Sequence, residues 1–392
     1  MRWIPAATGL NVLFLFFLLS CQSDKDLTPA SDCLVRASST NGVAIAGSYI
    51  VTYKSAQATM SATGARLLST GEQLLSRHGL RDANLKVLFS GDKMGLLAHL
   101  SATEAERLKT DSTVETIEPD RVISLCSCVD VTASNSLTWN VRQTGYGRGD
   151  LNSDKTAWIL DTGIDLDHPD LNVDVTRSQS FISGTTDDDE NGHGTHIAGI
   201  IGAKNNDFGV TGVASGATLV SLRVLNSEGE GNLSTLIQAI SHVSQNGKAG
   251  DVVNISIGGE GRSTSLERVI AQAANKGILF AVAAGNEGKS ADGYAPANID
   301  NPNVFTVSAM DQTNTFASFS NYGPTVDVCA YGVRVASTYK NGQYATLSGT
   351  SMASPHVAGL LLLRGRAIPT NGYVKADPDG QADPIAGSTV DL

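Results

Sequence analysis

The chain has no excess of positive charge: 28 lysines and arginines stand against 39 aspartates and glutamates, a formal net charge of -11 over 392 residues. Residues 1–129 balance, 12 basic against 12 acidic, so the surplus falls wholly in the remainder, 16 against 27. A domain that acidic lacks the electrostatic footprint for nucleic acid or an anionic lipid surface; the surplus reads as solubility outside a cell. Long apolar runs are scarce too, and past residue 19 no segment suits a membrane span. Zinc chemistry has no framework either. Cys126-Ser127-Cys128 lacks the spacing of a four-ligand site, and H-E-x-x-H is absent. Aromatics make up only 6% and charged residues 17%, whereas glycines number 40. That balance fits an α/β enzyme, and the length allows two domains plus a leader.

Residues 1–21 read as an export signal, with Arg2 as the positive start, an apolar stretch over 12–19 and a processing site at Ser20-Cys21. Leu18-Leu19-Ser20-Cys21 resembles a bacterial lipobox, which makes Cys21 a lipidated residue anchoring the chain to a membrane in the cell envelope. An ordinary secretory leader and an extracellular product is the alternative. Residues 22–46 form a polar tether. With Cys21 set aside, Cys33, Cys126, Cys128 and Cys329 are left, an even number suited to an oxidising compartment, with connectivity open. Cys329, in an apolar run over 326–330, reads as a buried free thiol.

From residue 47 the pattern becomes structural. Apolar and polar residues alternate over 47–54 as in a half-buried strand, and 62–78 has helical spacing. Strands follow over 85–89 and 96–98, then a helix over 101–109 with Ser101 as N-cap and Glu104 closing a capping box. A last strand covers 114–117. This βαββαβ order predicts a small ferredoxin-like α+β domain over 47–125. From residue 156 the pattern changes. Short apolar runs over 157–160, 219–225, 252–257, 279–284 and 304–308 alternate with helices. Such runs are strands buried on both faces, so 126–392 is expected to be α/β, a doubly wound, mainly parallel sheet. Functional groups in these sheets gather outside the carboxyl ends of the strands.

Four segments carry the chemistry: Leu160-Asp161-Thr162-Gly163-Ile164-Asp165, Asn191-Gly192-His193-Gly194-Thr195-His196, Ala283-Ala284-Gly285-Asn286-Glu287-Gly288 and Ser348-Gly349-Thr350-Ser351-Met352-Ala353-Ser354-Pro355-His356. A serine hydroxyl is a weak nucleophile until a neighbouring base takes its proton. His193 suits that task, since imidazole titrates near neutrality. A carboxylate at a rigid strand end, Asp161, would fix its tautomer and balance the imidazolium. Ser351 is expected to open a helix, because Pro355 is tolerated in a first turn. The Ser351 N–H and the Asn286 amide would then face a developing oxyanion. The order Asp–His–Ser excludes the α/β-hydrolase arrangement, whose serine lies in G-x-S-x-G. His196, His356, His168 and Asp165 read as structural. The acidic run 187–190 reads as a solvated loop close enough to His193 to raise its basicity.

These four motifs, in this order and at these separations, resemble those of the subtilisin-like serine peptidases over about residues 135–365. The resemblance implies an Asp161-His193-Ser351 triad with Asn286 as oxyanion donor, and no catalytic metal. It implies an endopeptidase, monomeric, acting on proteins or peptides and made as a precursor whose segment 47–125 is its own inhibitor. Peptide would lie between one strand holding Leu225, Gly229, Glu230 and Gly231 and another holding Ser256, Ile257, Gly258 and Gly259. Ala283, Ala284 and Gly285 would form a third wall. These glycine-lined walls suggest a roomy primary pocket for large apolar side chains, with Glu230 and Glu287 favouring nearby basic residues. A calcium site is implied at Asp170 and Asn206 with the carbonyls of Lys204, Phe208 and Val210, Asn135 adding another ligand. An Asn-rich turn without an ion is the alternative. The maturation site falls somewhere in 124–135. A peptide-binding protein without activity and an acyl-transferring relative are the rival readings; the intact set of four residues disfavours the first.

Overall fold

The structure, a computed structural model, describes residues 40–54, 64–80, 84–90, 93–125, 128–131, 138–147 and 154–388, the side chains of 64–66 and 128–131 excepted. Cys21, Cys33, Cys126 and Asn135 lie outside the described residues.

The amino-terminal part runs β1 (Ala44–Tyr53), α1 (Gly64–Arg77), β2 (Lys86–Phe89), β3 (Met94–His99), α2 (Ala102–Leu108) and β4 (Val114–Ser124). Its strands lie in the order β2-β3-β1-β4, with β1 antiparallel to both β3 and β4. The βαββαβ order read from the sequence is present. The capping box forms: Ser101 Oγ accepts the Glu104 N–H at 3.3 Å, and Glu104 Oε2 accepts the Ser101 N–H at 2.7 Å. Alternation along β1 divides the sheet between two cores. Val51 and Tyr53 pack with Leu67, Leu74 and Leu108 under the two helices. Ile50, on the opposite face, joins Leu88, Phe89 and residues of a later helix.

β4 does not stop at Ile117, as the sequence suggested, but passes through Pro119 to Ser124. The reason is tertiary. Glu118 Oε1 accepts the Ser263 hydroxyl at 3.2 Å and the Ser265 N–H at 2.9 Å. Asp120 accepts the Ser234 N–H at 2.9 Å and its hydroxyl at 2.6 Å. Both carboxylates thus cap helix N-termini that belong to the second part of the chain. Burial pushes the Asp120 carboxyl above its ordinary range, against the lowering by the Ser234 bonds.

The second part continues with β5 (Cys128–Val131), α3 (Trp139–Gln143), β6 (Thr156–Asp161), β7 (Gln179–Ser180), α4 (His193–Gly202), β8 (Thr218–Arg223), β9 (Glu230–Asn232), α5 (Leu233–Asn246), β10 (Val252–Ile255), β11 (Gly259–Glu260), α6 (Thr264–Ala274) and β12 (Leu279–Ala283). Then come β13 (Tyr294–Ala295), β14 (Val304–Met310), β15 (Val328–Tyr331), β16 (Val335–Tyr339), β17 (Gln343–Ser348), α7 (Thr350–Arg364), β18 (Thr370–Tyr373) and β19 (Pro384–Ala386). The main sheet has the order β18-β19-β15-β14-β12-β10-β6-β8-β7, and its pairs from β15 to β7 are all parallel. Both faces are covered. Ala157 and Ile159 of β6 face α4 and α7, while Trp158 and Leu160 face α5 and α6. This two-sided burial is why the strand segments are unbroken apolar runs. The chain leaves β6 toward β8, then crosses back to β10, so strand order reverses beside β6 and opens a crevice at its carboxyl end.

The segment after residue 365 forms the hairpin β18–β19, with β19 extending the sheet parallel to β15. Asp383 anchors it by accepting the Ser308 hydroxyl at 2.6 Å, and burial pushes the Asp383 carboxyl up to about 7. Cys329 in β15 is a buried free cysteine, as expected.

Candidate active site

Asp161 is the last residue of β6, completely buried. Its Oδ1 accepts the Thr162 N–H at 2.8 Å and the His193 Nδ1–H at 2.7 Å. His193 is the first residue of α4, and the glycines around it are steric necessities. Gly192 has φ +110°, and a Cβ there would come within 2.4 Å of the Tyr339 ring; one on Gly194 would come within 2.0 Å of the Gly163 carbonyl. The bond through Nδ1 fixes the tautomer and leaves Nε2 as the basic nitrogen. Among the described residues neither His193 Nε2 nor Asp161 Oδ2 has a hydrogen-bond partner, although both are buried.

The acidic run before His193 is exposed at Asp188 and Glu190, as a solvated loop would be, but not at Asp189. Asp189 is 6% exposed and is held by five donors. Its Oδ1 accepts the Thr162 hydroxyl and the N–H groups of Asn191 and Gly192; its Oδ2 accepts the N–H and hydroxyl of Thr195. The Asp161 strand end and the His193 helix start are therefore clamped to one carboxylate. The rest of the run wraps the buried Arg223, whose guanidinium donates to the Thr186 and Asp188 carbonyls and to Glu190 Oε2. Sequence reading missed this role because a lone acidic run looks alike whether it faces solvent or a buried arginine.

Ser351 opens α7 as its second residue. Its Oγ–H donates to the Ser256 carbonyl at 2.9 Å, not to His193. A catalytic hydroxyl–imidazole bond was expected from the sequence; here the hydroxyl is turned to the strand end instead. Asn286 Oδ1 accepts the Thr350 N–H at 2.8 Å and the Thr350 hydroxyl at 2.9 Å. This pins the amide plane, so its NH2 end is directed away from Thr350. Thr350, next to the serine in the motif, is thus a second residue whose role sequence reading passed over.

The remaining histidines behave as supports. His196 Nε2 lies 3.0 Å from the Val335 carbonyl and 3.1 Å from that of Ala345, and burial, aided by the nearby His193, pushes its pKa down to about 3. His356 Nδ1 lies 2.8 Å from the Met352 carbonyl, and burial lowers its pKa to about 4. His168 ties the 168–170 turn to the Gln343 carbonyl at 3.1 Å. Asp165 accepts the Gly342 N–H at 2.8 Å.

A cleft runs between β9 and the segment after β10, and the chain's own β4 lies in it. Val122, Ile123 and Ser124 pair antiparallel with Asn232, Gly231 and Glu230. On the other side, the Ser124 N–H donates to the Gly258 carbonyl at 3.3 Å, while the Leu125 N–H reaches the Gly229 carbonyl at 3.1 Å. Leu225, expected beside peptide, is fully buried beneath β9. One cavity is lined by Ser256, Ile257, Gly258, Gly259, Ala283, Ala284, Gly285 and Asn286, and also by Glu287 and Tyr294. Of those last two, Glu287 was expected beside the pocket, whereas Tyr294 was not. Tyr294 brings an aromatic ring to it, and burial, then the carboxylates of Glu287 and Glu260, pushes its phenol up to about 12. Glu287 accepts the Asn321 amide at 2.7 Å, and burial raises its pKa. Tyr294 carried no signal in the sequence, because only the β11–β13 pairing brings it to the cleft.

The loop 204–210 does reach Asp170. Asp170 Oδ1 accepts the Asn206 amide at 2.9 Å, and Oδ2 accepts the Val210 N–H at 2.9 Å and the Tyr344 hydroxyl at 3.2 Å. Among the described residues no donor meets the carbonyl oxygens of Lys204, Phe208 or Val210. This oxygen-rich set fits a hard cation once the Asn206 amide turns its oxygen inward.

Fold and site define a serine peptidase built on a parallel sheet, and the comparisons agree. A profile of the Subtilase family matches residues 157–374. A thermostable alkaline protease of Halalkalibacterium halodurans is 39% identical over 285 residues, 71% of this chain and 74% of that protein. Subtilisin Savinase of Lederbergia lenta is 41% identical over 235 residues, 59% of this chain and 84% of the relative. The crystal structure of a cold adapted subtilisin-like serine proteinase superposes with a TM-score of 0.55 and 32% identity, covering 65% of this chain and 99% of that one. The chain belongs to the subtilase family of serine peptidases.

Proposed function

We propose that the chain is the precursor of an exported serine endopeptidase that cuts itself between Cys126 and Ser127. Two registers carry this reading. Upstream, Ser124 stands opposite Gly258, two residues from Ser256, whose carbonyl is bonded to the Ser351 hydroxyl. Downstream, β5 pairs antiparallel with β17 so that Cys128 stands opposite Ser348, three residues before Ser351. The described chain thus approaches the nucleophile from both sides, with only residues 126 and 127 between Leu125 and Cys128. Ser351 Oγ attacks the carbonyl carbon while His193 Nε2 takes its proton, and Asp161 steadies the imidazolium. Asn286 and the Ser351 N–H bind the oxyanion; His193 then returns the proton to the leaving amine, and water releases the acyl group. After the cut the segment ending at residue 126 remains as an inhibitor, held by β4–β9 pairing and by the caps from Glu118 and Asp120. Mass spectrometry of the wild-type product is expected to show a new amino terminus at Ser127. A processed terminus elsewhere, or processing only when another peptidase is added, removes this reading.

We further propose that Asp170, Asn206 and the carbonyls of Lys204, Phe208 and Val210 hold a structural calcium ion. Those three unbonded carbonyls support it. An ion that binds only the folded state stabilises it by mass action, so chelation is expected to lower Tm by about 5 °C or more in wild type. Asp170→Asn is expected to abolish that response. An unchanged Tm in wild type means the loop is an asparagine-rich turn without an ion.

A further inference from the structure

Ser351 has an unusual helical neighbour. In an α-helix the carbonyl of residue i accepts the N–H of residue i+4, and for Ser351 that residue is Pro355, which has no N–H. The Ser351 carbonyl thus lacks its ordinary donor in a residue only 2% exposed. A buried carbonyl left without a partner is destabilising. Here the partner comes from another element: Ser256 Oγ–H donates to the Ser351 carbonyl at 3.0 Å. Ser256 is itself oriented. Its Oγ accepts the Asn254 amide N–H at 2.8 Å, and Asn254 Oδ1 accepts the Ser354 hydroxyl at 2.9 Å. Asn254, Ser256 and Ser354 are all at most 2% exposed. In return the Ser351 hydroxyl donates to the Ser256 carbonyl. The end of β10 and the first turn of α7 are therefore joined by a reciprocal pair of bonds at the nucleophile, backed by Asn254 and Ser354.

We propose that the Ser256 hydroxyl is a positioning group for the nucleophile, standing in for the N–H that Pro355 withholds. By holding the Ser351 carbonyl it fixes ψ of Ser351, and with it the placement of Cβ and of the neighbouring N–H donor against the strand end, while the Oγ–H bond to the Ser256 carbonyl sets the direction of Oγ. This is separate from the Ser256 backbone carbonyl, which lies on the peptide-binding edge of the cleft and survives any substitution. It rests on Ser351 being the nucleophile, which fluorophosphonate labelling of the wild type tests separately while also counting active sites for every variant below.

The test is a double-mutant cycle, with kcat and KM measured per titrated site on a peptide substrate. Ser256→Ala is expected to lower kcat about tenfold and leave KM within about twofold, because the backbone edge is kept. Ser256→Thr, which retains the hydroxyl, is expected to recover most of the loss. Pro355→Ala gives residue 355 an N–H for the Ser351 carbonyl. In that background Ser256→Ala is expected to cost less than about twofold. An equal loss in both backgrounds, or a loss confined to KM, overturns the proposal. Should Ser256→Ala fail to mature, the same coupling is read from maturation: recovery in the double variant supports the proposal, and no recovery overturns it.

Discussion

Ser351→Ala is expected to leave a folded, full-length chain with kcat/KM lowered on the order of 10⁶-fold. The size follows from the chemistry. Without Oγ there is no covalent acyl intermediate, and His193 has no alcohol to deprotonate, so the residual rate comes only from substrate binding and the oxyanion donors. Folding should survive, because the alanine loses one hydrogen bond, to the Ser256 carbonyl, worth about 0.5–1.5 kcal/mol. The measurements are activity on a peptide substrate, fluorophosphonate labelling and intact mass. A variant that still matures to the wild-type mass, with labelling retained, would falsify the assignment of Ser351.

The second large effect belongs to Asn286. Replacing it with alanine is expected to lower kcat by about 10²–10³-fold with little change in KM, since its amide meets an oxygen that becomes negative only in the transition state. The geometry argues for a loss at the upper end. Thr350 donates twice to Asn286 Oδ1, so the amide is oriented before substrate arrives and little reorganisation remains for the reaction step. The same substitution leaves two Thr350 donors without their acceptor, so Tm is to be measured beside kcat. A drop of less than tenfold in kcat, or one matched by KM, would show that the amide serves ground-state binding.

Much of this could be read along the chain. The capping box at Ser101, the parallel-strand runs and the Asp161, His193, Asn286 and Ser351 motifs are local patterns, legible because strand burial, helix starts and obligatory glycines leave marks on neighbouring residues. Asp189 and Tyr294 were misjudged or unseen for the opposite reason. The first is buried only because Thr162 and Thr195 converge on it; the second reaches the cleft only through β13 pairing with β11. The segment after residue 365 has little hydrophobic pattern of its own, so nothing along the chain marks its hairpin. It gains order from the edge of β15 and from Ser308.

The amino-acid sequence by itself determined the family, the two-part α+β and α/β organisation and the candidate residues for the chemistry, because each is written in contiguous segments. The tertiary structure decided how those segments meet. It carried β4 past Pro119 into the cleft, turned the Ser351 hydroxyl toward Ser256 and supplied a donor where Pro355 has none. These depend on residues about a hundred positions apart, and strand order rather than local composition sets which of them become neighbours.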